Sequence, residues 1–410
     1  MKTLRSLLFL TVLATGAMAQ TTGGDEFNAI TTAVPFLRIN PDSRSGALGD
    51  AGLATSPDQN SIYLNASKLA MLDSDYGMGF SFSPWLFGVS NDVYLAYLNG
   101  YYRFKDVQSL HASFRYSSMG NIDFTDQNGG PLGQGRPREY IFDVGYSRRL
   151  GDHFAIGTAI RLIGSDLDLN AAVQQNSSAA FGASADLTMF YTNRWDMEKI
   201  SGMDFNLGVA LTNIGSKISY LGDAQNQDYL PANMGVGFGV LLDIDEYNEL
   251  NFHVDVNRLL VPTPVPPSEL YNTPGDETSG IKEEYDEDDN GIADYRERSS
   301  IGGVFSSFAD APGGAREELQ EFNVGTGLEY FYNQQFAVRM GYFWEHPYKG
   351  RRKFLVAGAG VSFSVVTLDF SYIIPTSPER NPLDNTLRFS MSFDFDRSAG
   401  PDPEEVDADL

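Results

Sequence analysis

The chain has no cysteine among its 410 residues. A thiol nucleophile, a cysteine-ligated zinc or iron–sulfur site and a disulfide framework are therefore excluded. Positive charge is scarce: 29 Lys and Arg stand against 54 Asp and Glu, a formal charge of −25. Duplex nucleic-acid binding needs a basic face for counterion release, so that class is excluded as well. The four histidines, His111, His153, His253 and His346, are scattered, and none has metal-ligand spacing with another. Nothing else marks a catalytic site, and the chain reads as a non-enzyme. Long apolar runs are also missing. Beyond the N-terminal leader no stretch reaches 18 apolar residues, too few for a spanning helix.

The leader itself is clear. Lys2 and Arg5 precede the apolar run Leu7 to Leu13, and Ala17-Met18-Ala19 offers a small-residue cleavage site before Gln20. This is a secretory signal peptide, residues 1–19. The mature chain then either stays soluble outside the inner membrane or crosses a membrane with strands.

Aromatic residues are plentiful, with 21 Tyr and 28 Phe, and so is glycine, with 41. The order of these residues favours strands. Leu387, Phe389, Met391, Phe393 and Phe395 alternate with Arg388, Ser390, Ser392 and Asp394. Phe336, Val338, Met340 and Tyr342 alternate with Ala337, Arg339 and Gly341. Gly235, Gly237 and Gly239 sit two apart, as on one strand face, and do not form a nucleotide loop. Alternating segments fall near 76–83, 92–104, 109–117, 139–149, 154–163, 180–190, 204–213, 233–241, 248–256, 322–331, 335–343, 354–363, 366–374 and 386–395. The count of fourteen is even, as a closed bacterial barrel requires. Connections after even-numbered segments are short, with 191–203 the exception. Those after odd-numbered segments are long. That parity separates a barrel from a soluble sandwich. The fold class is thus all-β, a transmembrane antiparallel β-barrel over residues 76–395.

Both termini are expected on the short-turn, periplasmic rim, with the long loops extracellular. Residues 20–75 are too long for a tail and read as a plug folded into the barrel. The expected lumen face carries Arg115, Arg161, Arg339 and Arg388 against Asp143, Asp186, Asp255, Glu329, Asp369 and Asp394. A hydrogen-bonded filler network is the simplest reading of these charges. Residues 396–410 form an acidic periplasmic tail of net charge −5.

The segment before the first strand is more specific than periodicity. Pro41-Asp42-Ser43-Arg44, Gly46-Ala47-Leu48-Gly49-Asp50-Ala51-Gly52 and Ala54-Thr55-Ser56-Pro57-Asp58 closely resemble the PorV family. The likeness continues through Phe82-Ser83-Pro84-Trp85 and Arg115-Tyr116-Ser117-Ser118-Met119-Gly120. It covers essentially the whole mature chain. The resemblance implies a FadL-like barrel of fourteen strands in the outer membrane of Bacteroidota. It also implies a role in the type IX secretion system: a carrier that recognises the C-terminal domain of exported cargo. Its partners would be the translocon barrel SprA or Sov and the sortase PorU. Two departures are visible. Asn65-Ala66-Ser67 stands where the family carries Asn-Pro-Ala, and 15 residues follow Phe395. The other reading is a FadL-type channel for hydrophobic small molecules, which would need an apolar lumen pocket and a gap in the wall.

The longest loop, 257–321, opens with Pro262, Pro264, Pro266 and Pro267 and holds 15 acidic and 5 basic residues. Residues 286–297 fit D-x-[DN]-x-[DN]-G-x₅-E in full. Calcium needs six to eight hard oxygens. Asp286, Asp288 and Asn290 would supply side-chain oxygens, Ile292 its carbonyl, Asp294 a direct or water-mediated ligand and Glu297 a bidentate carboxylate. Gly291 would permit the turn. A solvated acidic loop is the competing reading. Cargo contacts are expected on loops 118–138, 214–232 and 257–321.

Overall fold

A computed structural model describes residues 26–85, 92–126, 128, 130–168, 178–220, 227–376 and 386–396. The signal peptide and all of the tail beyond Asp396 lie outside these residues. Fourteen strands form one closed antiparallel barrel. They are β1 Tyr76–Pro84, β2 Val93–Phe104, β3 Gln108–Met119, β4 Arg138–Arg149, β5 Phe154–Asp166, β6 Ala180–Trp195 and β7 Gly202–Gly215. The second half comprises β8 Asn233–Asp243, β9 Asn248–Leu259, β10 Asn323–Tyr332, β11 Phe336–Trp344, β12 Lys353–Phe363, β13 Val366–Pro375 and β14 Leu387–Phe395. Each matches one of the fourteen segments read from sequence. Strand β14 pairs with β1, from Tyr76 against Phe395 to Phe82 against Phe389, and so closes the wall.

Alternation sets the two faces. Ile160 and Leu162 are 64 % and 55 % exposed on the outer wall, while Arg161 between them is 2 % exposed and points inward. Aromatic rings band both ends of that outer wall. Phe82, Tyr94, Tyr116 and Tyr140 contact one another in sequence at the long-loop rim. Tyr76 stacks on Phe395, and Tyr247 on Tyr332, at the other rim. Tight turns close the short side. Lys105-Asp106 and Asn333-Gln334 both have positive φ at each central residue, the twist that two-residue hairpins require. The exception in loop parity also shrinks, because β6 and β7 extend beyond the expected segments. Their connection is only 196–201.

Residues 26–75 run down the inside of this wall. Near the long-loop rim, Asn28 N donates to Tyr348 O at 2.8 Å and Ala33 N to Tyr229 O at 2.9 Å. At the short-turn rim, Asp75 N donates to Phe395 O at 3.0 Å. The two ends of the described chain therefore lie at opposite rims. The first described residues are held among the long loops by those hydrogen bonds; the termini themselves, expected at the short-turn rim, lie outside the described residues.

Within the lumen the plug is short helical turns and coil. Asp42 caps the turn Ser43–Ala47 by accepting from Ser45 N at 2.8 Å. A 3₁₀ turn spans Ala66–Met71. Ala66 occupies its first position, where proline would also fit, so the missing family proline leaves this turn intact. Inward glycines let the plug backbone touch the wall. A Cβ on Gly341 would collide with the backbone of Leu48 and Gly49, and one on Gly208 with the carbonyl of Leu53. Gly237 likewise faces Leu53 and Asp255 from β8.

The inward charges pair as a network that includes the plug. Glu329 accepts Arg44 Nε and Nη2, both at 2.9 Å, and Arg339 Nε at 2.6 Å. Arg339 continues to Asp369 at 2.5 Å. Asp255 accepts the backbone N–H groups of Gly52 and Leu53 at 2.7 and 2.8 Å. Arg388 faces Asp50 at 3.4 Å. Arg161 is held by Asp143, Asp186 and Asn213 beside a bulge between β6 and β7. Arg115 donates to Phe36 O at 3.2 Å and lies 4.5 Å over the Tyr63 ring. Of the expected lumen charges, only Asp394 stays partly exposed; it sits at the rim and accepts from Tyr101 at 2.8 Å.

Arg44→Met leaves part of the Glu329 charge without its plug partner. Breaking one side of a buried pair costs about 3–5 kcal/mol. Denaturant unfolding of the folded barrel measures this, and a loss below about 1 kcal/mol would show that the plug is not anchored here. Arg44→Met combined with Glu329→Gln recovers much of the loss.

Candidate functional site

The long-loop rim gathers most of the irregular chain. Loop 118–138 carries a small hairpin, Ile122–Thr125 paired with Pro131–Gly135. In loop 214–232, Ile218 bridges Asp228. The longest loop is ordered into short pieces: a helical turn at Pro267–Leu270, a ribbon of Tyr271–Thr273 with Asp276–Ile281, and helices Ser300–Ser306 and Ala315–Gln320. Ser299 caps the first of these helices by accepting from Gly302 N at 3.1 Å.

A buried charge cluster fastens this lid to the barrel mouth. Arg258, at the end of β9, contacts Glu318 and lies 2.8 Å from Glu321. Lys349, from the loop after β11, reaches Glu317 at 2.5 Å and Glu321 at 3.2 Å. Thr263 donates to Glu321 at 2.6 Å. Asn28 joins from the plug side, donating to Glu317 at 2.9 Å and to Pro264 O at 2.8 Å. Burial would raise the Glu317 carboxyl, but the hydrogen bonds from Lys349, Gly313 and Asn28 hold it below its ordinary range. One cluster thus ties lid, wall and plug together. Sequence carried no signal for it, since Asn28 and Glu317 are 289 positions apart.

The outer face of the lid is apolar in part. Ile301 and Phe305, one helical turn apart, are 65 % and 74 % exposed, and Leu319 is 71 % exposed. Such side chains on an otherwise acidic loop suit a protein contact.

The calcium pattern falls on the turn after Tyr285. Asp286 is buried, and its two oxygens accept Asn290 N at 3.0 Å and Gly291 N at 2.9 Å. Gly291 has φ +81°, the turn conformation expected of it. The Asn290 amide nitrogen donates to Asp288 at 2.9 Å and to Glu297 at 2.8 Å. Asp288, Asn290 and Glu297 are therefore brought together. Asp294 instead accepts from Glu287 N at 3.3 Å, and Ile292 N donates to the Asn290 side-chain oxygen at 2.8 Å. Among the described residues, no three His, Asp or Glu side chains converge closely enough to hold a metal by themselves. The set fits a cation only if the Asn290 amide turns its oxygen towards the carboxylates, with a backbone carbonyl and water completing the shell.

Among the described residues, the wall below this rim is closed all round by strand pairing. Every neighbouring strand pair is continuous in register except for the bulge between Ala185 and Leu187. No helix of the described residues is long and apolar enough to cross a membrane.

Comparison with solved structures returns hydrocarbon transporters and a FadL homologue. The toluene transporter TbuX of Ralstonia pickettii is 12 % identical, with 87 % of this chain and 98 % of that chain covered and a TM-score of 0.46. The P. putida toluene transporter TodX is 10 % identical, covering 88 % and 99 %, with a TM-score of 0.47. A Pseudomonas aeruginosa FadL homologue is 10 % identical, covering 90 % and 99 %, with a TM-score of 0.41. No curated protein matches the chain. The family model described as type IX secretion system protein PorV matches residues 22–266, more than half of the chain, and the chain belongs to that family.

Proposed function

We propose that this outer-membrane barrel is a carrier of the type IX secretion system. It binds the C-terminal signal domain of exported proteins at its long-loop face, which lies outside the cell. It meets them at a translocon barrel of the SprA or Sov kind and delivers them to a PorU-type sortase. The observation that carries this reading is the contrast between lumen and rim. The lumen is filled by a plug whose Arg44 is paired with the wall at Glu329. The rim presents Ile301, Phe305 and Leu319 to solvent. A FadL-type channel would need an apolar path and a breach in the wall. A closed ring of paired strands, broken in register at one bulge, and an inward face of paired charges argue against it. Nothing in this role calls for catalysis by the barrel.

Pull-down from native outer membranes tests the carrier reading. Recovery of a large translocon barrel and of proteins sharing a C-terminal signal domain is expected. Phe305→Asp with Ile301→Asp should reduce cargo recovery several-fold while leaving barrel folding intact. Recovery of neither partner, with uptake of hydrophobic molecules into proteoliposomes, contradicts it.

We also propose that the 286–297 turn takes a calcium ion of the weak, extracellular kind. Asp286, Asp288, Asn290 and Glu297 would provide side-chain oxygens, Ile292 its carbonyl, and Asp294 a ligand after releasing Glu287. The ion would neutralise charge in a loop of net −10. Adding calcium to the full chain should slow proteolysis within 280–300, and Asp286→Asn should abolish the effect. Equal cleavage with calcium and with chelator rules the site out.

A further inference from the structure

A cavity of about 100 Å³ lies at the long-loop end of the lumen, between the plug, β7 to β11, Arg161 of β5 and Arg352 of the loop after β11. Water needs about 10–15 Å³ of such space, so the cavity has room for several waters or one small organic group. Its lining mixes apolar and polar groups, Arg161, Asp50 and Tyr63 among them. Leu37 and Phe343 supply apolar surface, and Asn257 and Asn323 supply amides. Arg38 and Arg352 supply guanidinium groups.

The two arginines are unequally satisfied. Arg352 holds Glu345 with two bonds, Nε to Oε2 at 2.8 Å and Nη2 to Oε1 at 2.9 Å, and its guanidinium lies 5.1 Å over the Phe343 ring. That bidentate geometry is the strong one for a carboxylate. Arg38 has five N–H donors. Among the described residues its side chain makes one hydrogen bond, at 3.3 Å, to the Glu345 oxygen that Arg352 already occupies. Burial and the neighbouring Arg352 charge hold the Arg38 guanidinium below its ordinary pKa, with Glu345 opposing them. Asp50 also lines the cavity, but it faces Arg388 at 3.4 Å. Asp50 also acts on Arg352, so Arg38, Arg352 and Arg388 stand against Glu345 and Asp50 and one positive charge is left over. Asn323 is buried and makes no side-chain hydrogen bond among the described residues.

We propose that this cavity binds one carboxylate borne on a short apolar group, with Arg38 as the principal ligand, Asn323 as a second donor and Leu37 and Phe343 flanking the apolar part. The chemistry is shared by two sources, the end of a peptide chain and a small free carboxylic acid. A long acyl chain is excluded by volume. The site stands apart from the carrier reading, because it is argued from the cavity alone.

Calorimetric titration of the purified barrel in detergent tests it, with N-acetylleucine, N-acetylleucinamide and butyrate as probes. N-acetylleucine is expected to bind at least about tenfold more tightly than the amide, which has the same apolar part and no charge. Arg38→Gln should remove that preference. Asn323→Leu should weaken N-acetylleucine binding several-fold. A gel shift on heating checks that each variant still forms the barrel. Binding of N-acetylleucine but not butyrate identifies the peptide end as the source, and equal binding of both identifies the free acid. Equal binding of acid and amide, no binding of either acid by the folded protein, or an unchanged preference in folded Arg38→Gln overturns the proposal. These outcomes are independent of whether a translocon or cargo is recovered from membranes.

Discussion

Glu329 is the carboxylate on which the interior depends. It is fully buried, on β10, and it is shared by Arg44 of the plug and Arg339 of the wall. A lone carboxylate there would pay a large desolvation cost. With two guanidinium groups on Glu329, Arg44 passing on to Asp58 and Arg339 to Asp369, each carboxylate of this network has a guanidinium partner. The polar interior then becomes a reason for the plug to stay. Removing the plug would strand Glu329, Asp255 and Arg388 without their inner partners. The outer wall meanwhile needs no such balance, because lipid accepts its Ile, Leu, Phe and Tyr side chains directly.

This arrangement sends function to the rim. A lumen filled by backbone contacts at Gly341 and Gly208 leaves little free passage. Among the described residues, strand pairing closes the wall all round. What remains accessible is the set of long loops, and these are themselves fastened by Arg258, Lys349 and three glutamates. Asn28 couples that fastening to the plug. The N-terminal part of the plug also carries Phe36, stacked on Trp85 at 4.9 Å, and Arg38, which lines the cavity at the long-loop end. Lid and plug therefore form one packed column from rim to rim.

Much of the wall was legible in the sequence. Period-two alternation is forced when one face meets lipid and the other meets a polar lumen, so β14 could be read from Leu387 to Phe395 without any structure. Loop parity was equally readable, since turns such as Asn333-Gln334 carry their own chemistry. The interior charges could be placed on the lumen face, but their partners could not. Arg44 to Glu329 spans 285 positions, and only the closed barrel brings them together. The path of the plug was illegible for the same reason. Nothing local to residues 26–40 says that their hydrogen bonds go to Tyr229 and Tyr348. In the calcium motif, spacing identified the residues that cluster, Asp288, Asn290 and Glu297. It could not foresee that the Asn290 amide would bridge the two carboxylates.

The central claim is that the plug stays in place while the rim works. The absence of cysteine makes this directly testable. Ser43 of the plug and Ser390 of β14 have hydroxyl oxygens 3.1 Å apart, close enough for a disulfide after Ser43→Cys and Ser390→Cys. The measurement is secretion of a surface-anchored cargo by cells whose plug is locked by that bond. Secretion at the unlocked level is the result the account predicts. Loss of secretion on oxidation, restored by a reductant, would show that the plug must move and would contradict it.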